Sequence, residues 1–452
     1  MTEPFHLTVA EASSRIRART LSPVELMESL LARSQALDPE LRVWVTLDPD
    51  AASAEAHESQ RALEKNGPAG PLHGVPVGVK DIFYAKGVRN TAGSPIYADF
   101  VPDYDSTPVK LLRRAGAIVM GKTVTTQFAL GDPPPTRNPW NSAHTPGGSS
   151  SGSAVGVSAR MFPAALGSQT AGSVIRPASF SGVVGFKPTF GRVSRYGVVP
   201  VSWSLDTVGC FTRTVEDATL MLGAMAGHDP NDVASADNAV PDYLESLGSG
   251  GRPPRIGLVR WFFLDTCDDQ AKQVTLGVVE KLSRAGADVE GAHLDFDYEV
   301  LLAAHQTIMA AEAAAVHRRD FEERPDDYAP FIRGVIEKGF LIPATTYIKA
   351  QRIRRDFRRQ VARAMDGFDI LLTTSTDSEA PRDLTATGNP FYQVPWTMTG
   401  LPVISLPCGL GAAGLPLGVQ LLGRAFDERG LLTTARWCEE ALDVSLYPAG
   451  IG

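Results

Sequence analysis

Cysteine is scarce in this 452-residue chain, with four residues, Cys210, Cys267, Cys408 and Cys438, spread far apart. No CxxC pair occurs, so neither a metal knuckle nor a disulfide framework is suggested, and a reducing cytoplasm is the expected home. The eight histidines form no HExxH and no obvious ligand pair, which leaves a metal enzyme without support. No apolar run approaches the roughly 20 residues of a membrane-spanning helix. The opening "MTEPFHLTVAEASSRIRART" lacks the charged-then-apolar order of a secretory signal. Basic residues are outnumbered, 43 against 51 acidic, for a net charge of −8. A polyphosphate partner selects for a basic face. The nearest candidate, "RIRRDFRR" from Arg352 to Arg359, has helical apolar spacing and reads as a solvated helix face. Neither a nucleic-acid nor a membrane partner is expected. What is present, 43% hydrophobic and 21% charged residues, is the mix of a globular protein with a large core.

Two capping boxes open the chain, Thr8 to Glu11 and Ser22 to Glu25, the second with Pro23 at the first helical position. A polar, Ala-rich helix is expected from Ala51 to Leu63. From Gly74 to Gly209 the texture is dense in Gly, Ser, Thr and Pro, with short β-branched runs at Val75–Val79, Ala117–Met120 and Val183–Phe186. Ser106 and Thr214 are expected to cap helices. "RIGLV", "DILLTTS", "PVISLPCGL" and "LGVQLLGR" read as strands, and Asp268 to Ala285 as a helix. Residues from about Tyr298 to Met365 are almost wholly helical and read as a layer over the sheet. Strands alternating with helices predict an α/β protein, and no linker or repeat divides it. One large domain over residues 1–452 is expected.

One motif is a decoy. Gly116 to Thr123, "GAIVMGKT", matches the phosphate-loop pattern, whose mechanism needs a strand, a wrapping loop and then a helix. Here the variable positions Ala117 to Met120 are themselves an apolar strand, so nucleotide hydrolysis is rejected.

The tract His144 to Gly197 is rich in Gly and Ser, yet Val155, Val157, Met161, Phe162 and Leu166 interrupt it, which a flexible linker would not do. Two Gly-containing turns, Gly147-Gly148-Ser149 and Ala171-Gly172-Ser173, each feed an apparent helix. Such turns expose several N–H donors in one place, as an oxyanion requires. A serine there is a candidate nucleophile, and it needs a base. "GSSSG" formally matches a nucleophile elbow, but "NSAHTPG" before it is no strand. His144 reads as a turn partner or as a base. The alternative base is a lysine kept neutral by desolvation. Lys80, ending the otherwise uncharged run "GVPVGVK", fits that description, beside the plainer reading of a solvated surface group.

"GVPVGVKDIF", "GKTVTTQFA", "TRNPWNSAHTPGGSSSGS", "ALGSQTAGSVIRPASFSGVVGFKPTFGRVSRYG" and "SLDTVGCFTRTVEDA" resemble successive blocks of the amidase signature family. "GLPVISLPCGL" and "LPLGVQLLGRAFDERGLL" extend the match. The resemblance implies a mixed central β-sheet covered by helices on both faces, with a signature core at about 70–215 and a helical layer at about 298–365. It implies a triad of Lys80, Ser149 and Ser173, the last as nucleophile, and an oxyanion hole from the backbone of Thr170, Ala171, Gly172 and Ser173. A cis peptide between Ser149 and a neighbour is implied, and no cofactor or metal. Three departures are visible: Ala171 for a glycine, Gln169 for the frequent aspartate, and "SVIR" for "SIR". Ser150 and Ser151 read as hydrogen-bond partners of the site or as helix caps. Arg176 with Asp206 is expected to form an ion pair bracing the nucleophile turn. Cys210 and Cys408 are expected to be inert.

Candidate pocket walls, by the same resemblance, are Phe128, Leu130, Trp140, Phe391, Tyr392, Gln393 and Trp396; ordinary core is the equal alternative for such aromatics. An apolar pocket would take small hydrophobic amides or anilides, and the same acyl-enzyme chemistry extends to aryl carbamates. The alternative function is the amidase component of a tRNA-dependent glutamine amidotransferase, whose wording "GRVSRYG" and "FTRTVEDA" resemble. Against it, "GNPFYQVPWTMTG" is aromatic and uncharged where an acidic glutamine-binding residue is expected. A homo-oligomer is compatible with either.

Overall fold

In the computed structural model, which describes residues 3–247 and 252–451, both capping boxes form. The Thr8 and Ser22 hydroxyls accept from the Glu11 and Glu25 amides, and each glutamate returns the bond to its cap. Thr214 and Asp268 cap their helices as well. Ser106 occupies the N-cap position of Thr107–Arg114, but its hydroxyl makes no capping bond.

The expected runs and four further segments become strands: β1 (Trp44–Leu47), β2 (Pro76–Lys80), β3 (Ile118–Thr123), β4 (Ala164–Gln169), β5 (Val184–Lys187), β6 (Thr207–Thr212), β7 (Arg255–Val259), β8 (Asp288–Ala292), β9 (Ile370–Thr374), β10 (Val403–Leu410) and β11 (Pro416–Leu422), of which β1, β4, β6 and β8 lie outside the expected runs. They form one sheet in the order β1-β3-β2-β4-β6-β5-β10-β11-β9-β7-β8. It is mixed: β3-β2-β4 and β9-β7-β8 run parallel, and the middle of the sheet is antiparallel. Strands β2 through β6 are buried throughout, as a sheet covered on both faces requires. The supposed phosphate loop is β3, and its Lys122 pairs with Asp81 at 3.2 Å with both side chains fully buried.

Two short helices, Ser151–Ser158 and Ile175–Ser181, are buried at every position. Small residues let the first approach closely: a Cβ on Gly152 would stand 2.5 Å from Val124 N and 2.5 Å from Val43 O. Helices Tyr298–Glu323, Pro330–Phe340 and Ala344–Ala364 form the expected layer. Parallel pairing of β2 with β4 places their carboxyl ends side by side, so Lys80 and Ser168 meet at one sheet edge. Ends of parallel strands are where open α/β sheets collect functional groups.

Candidate active site

Lys80 ends β2 with its side chain wholly buried. Its Nζ lies 2.7 Å from Ser149 Oγ and 2.8 Å from Ser168 Oγ, and among the described residues no carboxylate touches it. Burial drives its pKa well below the ordinary lysine value, opposed only in part by the field of Asp206. A buried amine without a counter-charge sheds its proton because the low-dielectric interior disfavours the cation. Its sequence neighbour Asp81 faces away, bonding Thr91 and Lys122.

Ser149 stands at the Gly148–Ser149 peptide, which is cis. The carbonyl of Gly148 accepts from Arg176 Nη2 at 2.7 Å, and Thr387 Oγ1 accepts from the same nitrogen at 3.0 Å. Ser173 lies beyond β4 on the turn into helix Ile175–Ser181. Exposure rises from Lys80 at 0% through Ser149 at 3% to Ser173 at 8%. The Ser173 hydroxyl bonds to no group among the described residues, and neither do the amides of Thr170, Ala171, Gly172 and Ser173. Unpaired donors on one turn are rare away from a ligand site.

The turn is held from behind. Gln169 Oε1 accepts from the amides of Val174 and Ile175 at 3.0 and 3.1 Å, capping the nucleophile helix where the family's frequent aspartate is replaced. Its Nε2 donates to Thr397 Oγ1, which donates to the Ala171 carbonyl at 2.7 Å. His305 Nε2 lies 3.0 Å from the Thr170 carbonyl, so this neutral ring carries its proton on Nε2; burial lowers its pKa to about 4. Thr170 Oγ1 donates to Asp206, whose other oxygen accepts from the Val201 and Ser202 amides.

A cavity of about 530 Å³ opens beside the site; Ser168, Thr170 and Asp206 line it, whereas Lys80, Ser149 and Ser173 do not. Its walls are mostly apolar, including Ile82, Ala129, Val199, Val208 and Val316. The charges in it are committed: Arg195 pairs with Asp232 at 3.1 Å, and Asp206 is bonded as above.

A family model described as Amidase matches residues 25–432. The chain belongs to the amidase family. A subunit of the glutamyl-tRNA(Gln) amidotransferase from Geobacter sp. (strain M21) is 37% identical to this amidase, covering 96% of each chain. A peptide amidase from Stenotrophomonas maltophilia superposes with a TM-score of 0.87 at 31% identity, covering 98% of each chain. A 6-aminohexanoate cyclic dimer hydrolase superposes with a TM-score of 0.88 at 26% identity and full coverage of both.

One expectation about this amidase is corrected by its geometry. Arg176 and Asp206 do not pair: Arg176 serves Gly148 and Thr387, while Thr170 and two backbone amides occupy Asp206. Phe128, Leu130, Trp140, Phe391, Tyr392, Gln393 and Trp396 are not among the residues lining this cavity, and neither are Lys80, Ser149 and Ser173. Phe128 is 1% exposed and packs on Tyr97, His317 and Tyr328. Its neighbour Leu130 is buried, and Ala129 between them reaches the wall. Trp140 packs with Phe180, Ala380 and Leu415 and donates to the Ser181 carbonyl. Tyr392 and Trp396 pack on Phe263, and Phe391 lies against Tyr298. Gln393 is fully buried against Gly172, its Nε2 donating to the Ser375 carbonyl.

Ser150 ties its turn to β4, its Oγ donating to the Ser168 carbonyl at 3.3 Å, and makes no capping bond. Ser151 donates to the Val124 carbonyl at 3.4 Å. His144 donates to the Ala380 carbonyl and stays out of the site. Burial raises the Cys210 and Cys408 thiols to about 12, which keeps them unreactive. Sequence reasoning missed Ser168, His305 and Thr397. Among the described residues no helix is long and apolar enough to cross a membrane, and no cluster of metal-ligating side chains occurs.

Proposed function

We propose that this amidase hydrolyses small, uncharged amides through an acyl-enzyme on Ser173. The observation that carries the reading is Lys80, buried, without a carboxylate in contact, and bonded to Ser149. As general base, neutral Lys80 takes the Ser149 proton while Ser149 takes that of Ser173, and Ser173 Oγ attacks the carbonyl carbon. The developing oxyanion lies among the free amides of Thr170 to Ser173. Collapse breaks the C–N bond as the relay returns the proton to the leaving nitrogen. Water, deprotonated by the same relay, then attacks the ester, and the acid leaves with Ser173 restored.

The cavity supports an uncharged substrate. Free glutamine carries a carboxylate and an ammonium, and burying either without a partner is costly. The one arginine lining the cavity is held by Asp232, and the two carboxylates are held by Arg195 and by Thr170 with two amides. Anilides and other hydrophobic amides need no such partners, and aryl carbamates present the same carbonyl to the same amides.

A second reading has support of its own: the similarity to glutamyl-tRNA(Gln) amidotransferase subunits runs over almost the whole chain. Under it the same serine would release ammonia from glutamine within a larger assembly. One experiment tests both. The purified chain is given matched nitroanilide, nitrophenyl ester and carbamate substrates, with glutamine and asparagine alongside, and then a fluorophosphonate. Turnover of an aryl amide, with labelling lost in Ser173→Ala, is the expected result. Preference for glutamine over every aryl substrate would favour the amidotransferase reading, and unchanged labelling of the alanine variant would refute Ser173 as nucleophile.

A further inference from the structure

At the outer end of the cavity apolar side chains stand among polar ones. Its mouth is formed by Tyr196, Trp203 and Val233, which are 40%, 45% and 103% exposed. Large apolar side chains at the surface are individually ordinary; a group of them contiguous with a site is not. Beyond the mouth the apolar surface continues. Tyr196 lies 5.5 Å from Tyr104, Tyr104 lies 5.5 Å from Tyr84, and Tyr84 lies 5.1 Å from Phe100. Of these, Tyr104 is 38% and Phe100 37% exposed, with Val101 beside it also exposed.

The mouth is also braced. The Arg195 backbone amide and guanidinium both bond Asp232, and Arg195 Nη1 donates to the Trp203 carbonyl. One ion pair thereby fixes the segment bearing Tyr196 and Trp203 against the segment bearing Val233. Held apolar surface of this kind is ready to bind without an ordering cost.

We infer that Tyr196, Trp203 and Val233 form a distal subsite for the far arm of an extended apolar substrate, an aryl or alkyl group too long for the cavity. This rests on the proposed amide hydrolysis for the cavity's role, and it deepens that reading from small amides to long ones. The occupant follows from continuity: the shelf runs from Ser168, beside Lys80, to solvent, and the charges along it, Arg195, Asp206 and Asp232, are bonded to protein groups. A group on this shelf is joined to the reacting carbonyl from either the acyl or the nitrogen side, and binding assays on both series distinguish them.

The test measures binding, so it does not depend on turnover. The Ser173→Ala chain is titrated calorimetrically with N-phenylacetamide and with two extended analogues, one carrying a benzyl group on the aryl ring and one on the acyl chain. One extended series should bind about tenfold tighter than the short amide, the gain of one well-packed aromatic group. Trp203→Ala and, separately, Val233→Asp should cut the long-to-short affinity ratio to below about threefold, the fold being safe because both side chains are exposed. An unchanged ratio in both variants, or no gain in either series, overturns the subsite. Failure of the acyl-enzyme reading shows elsewhere, as absent fluorophosphonate labelling of the unaltered chain.

Discussion

At the residue scale, the proposed chemistry depends on Lys80 being neutral, and its burial follows from where β2 ends. Lys80→Ala should lower kcat/KM by roughly 10²–10⁴-fold, the range for a general base. Lys80→Arg should do no better, because a guanidinium stays protonated at any working pH. Since burial lowers the Lys80 pKa, the active form lies above that pKa, and kcat/KM should fall as pH drops through it. A pH–rate profile flat from about pH 5 to 9, with chemistry limiting, would remove Lys80 from the role. The proposed triad was named from ordered blocks of sequence. Ser168, which shares the lysine, was not. Its strand "AALGSQ" is built of small residues with neither alternation nor β-branching, and only pairing with β2 and β6 makes it a strand. The expected Arg176–Asp206 pair failed for a related reason. Sequence shows opposite charges but not that Thr170 and two backbone amides already satisfy the acid.

At the scale of elements, two buried helices aim the serines, and glycines set how near they lie. Gly152 faces backbone atoms of Val124 and Val43 that no rotamer change can move. Gly152→Ala should therefore destabilise the fold by about 1–3 kcal/mol, the usual cost of overpacking, read as a lower denaturation midpoint. Gly172 is different, because its obstacle is the side chain of Gln393. Gly172→Ala should push that amide off Ser375 and disturb the turn, lowering kcat. The double variant with Gln393→Ala should recover part of the loss, a coupling that a double-mutant cycle measures. Additive losses would show that Gln393 is not what the glycine accommodates. The same segment shows why aromatics in a sequence do not by themselves identify pocket walls. "FYQVPWTMTG" is aromatic because helix Val394–Thr399 packs Trp396 on Phe263 and presents Thr397 to the nucleophile turn. An aromatic run in sequence looks the same whether it faces a ligand or the core. Strand and helix grammar was more readable, since capping boxes and β-branched runs act locally.

At the scale of the molecule, the helical layer does more than cover the sheet. Its first helix supplies His305 to the Thr170 carbonyl and Glu312 to Ser202 and Ser204, and its third supplies Arg354 to Ser204. Cavity floor, nucleophile turn and layer are thus one connected body within a single chain. That connection bears on whether the chain works alone. If the site is complete, the purified chain should turn over an aryl anilide without any partner protein. Its kcat/KM for glutamine should be lower by at least about tenfold, because a zwitterion entering this cavity leaves two charges without partners. Work within a larger assembly predicts the reverse: glutamine preferred, and activity that rises when partner proteins are added. Competition kinetics with anilide and glutamine in one vessel measures the ratio directly, and a ratio favouring glutamine would mean that charges now bonded to one another open to receive it.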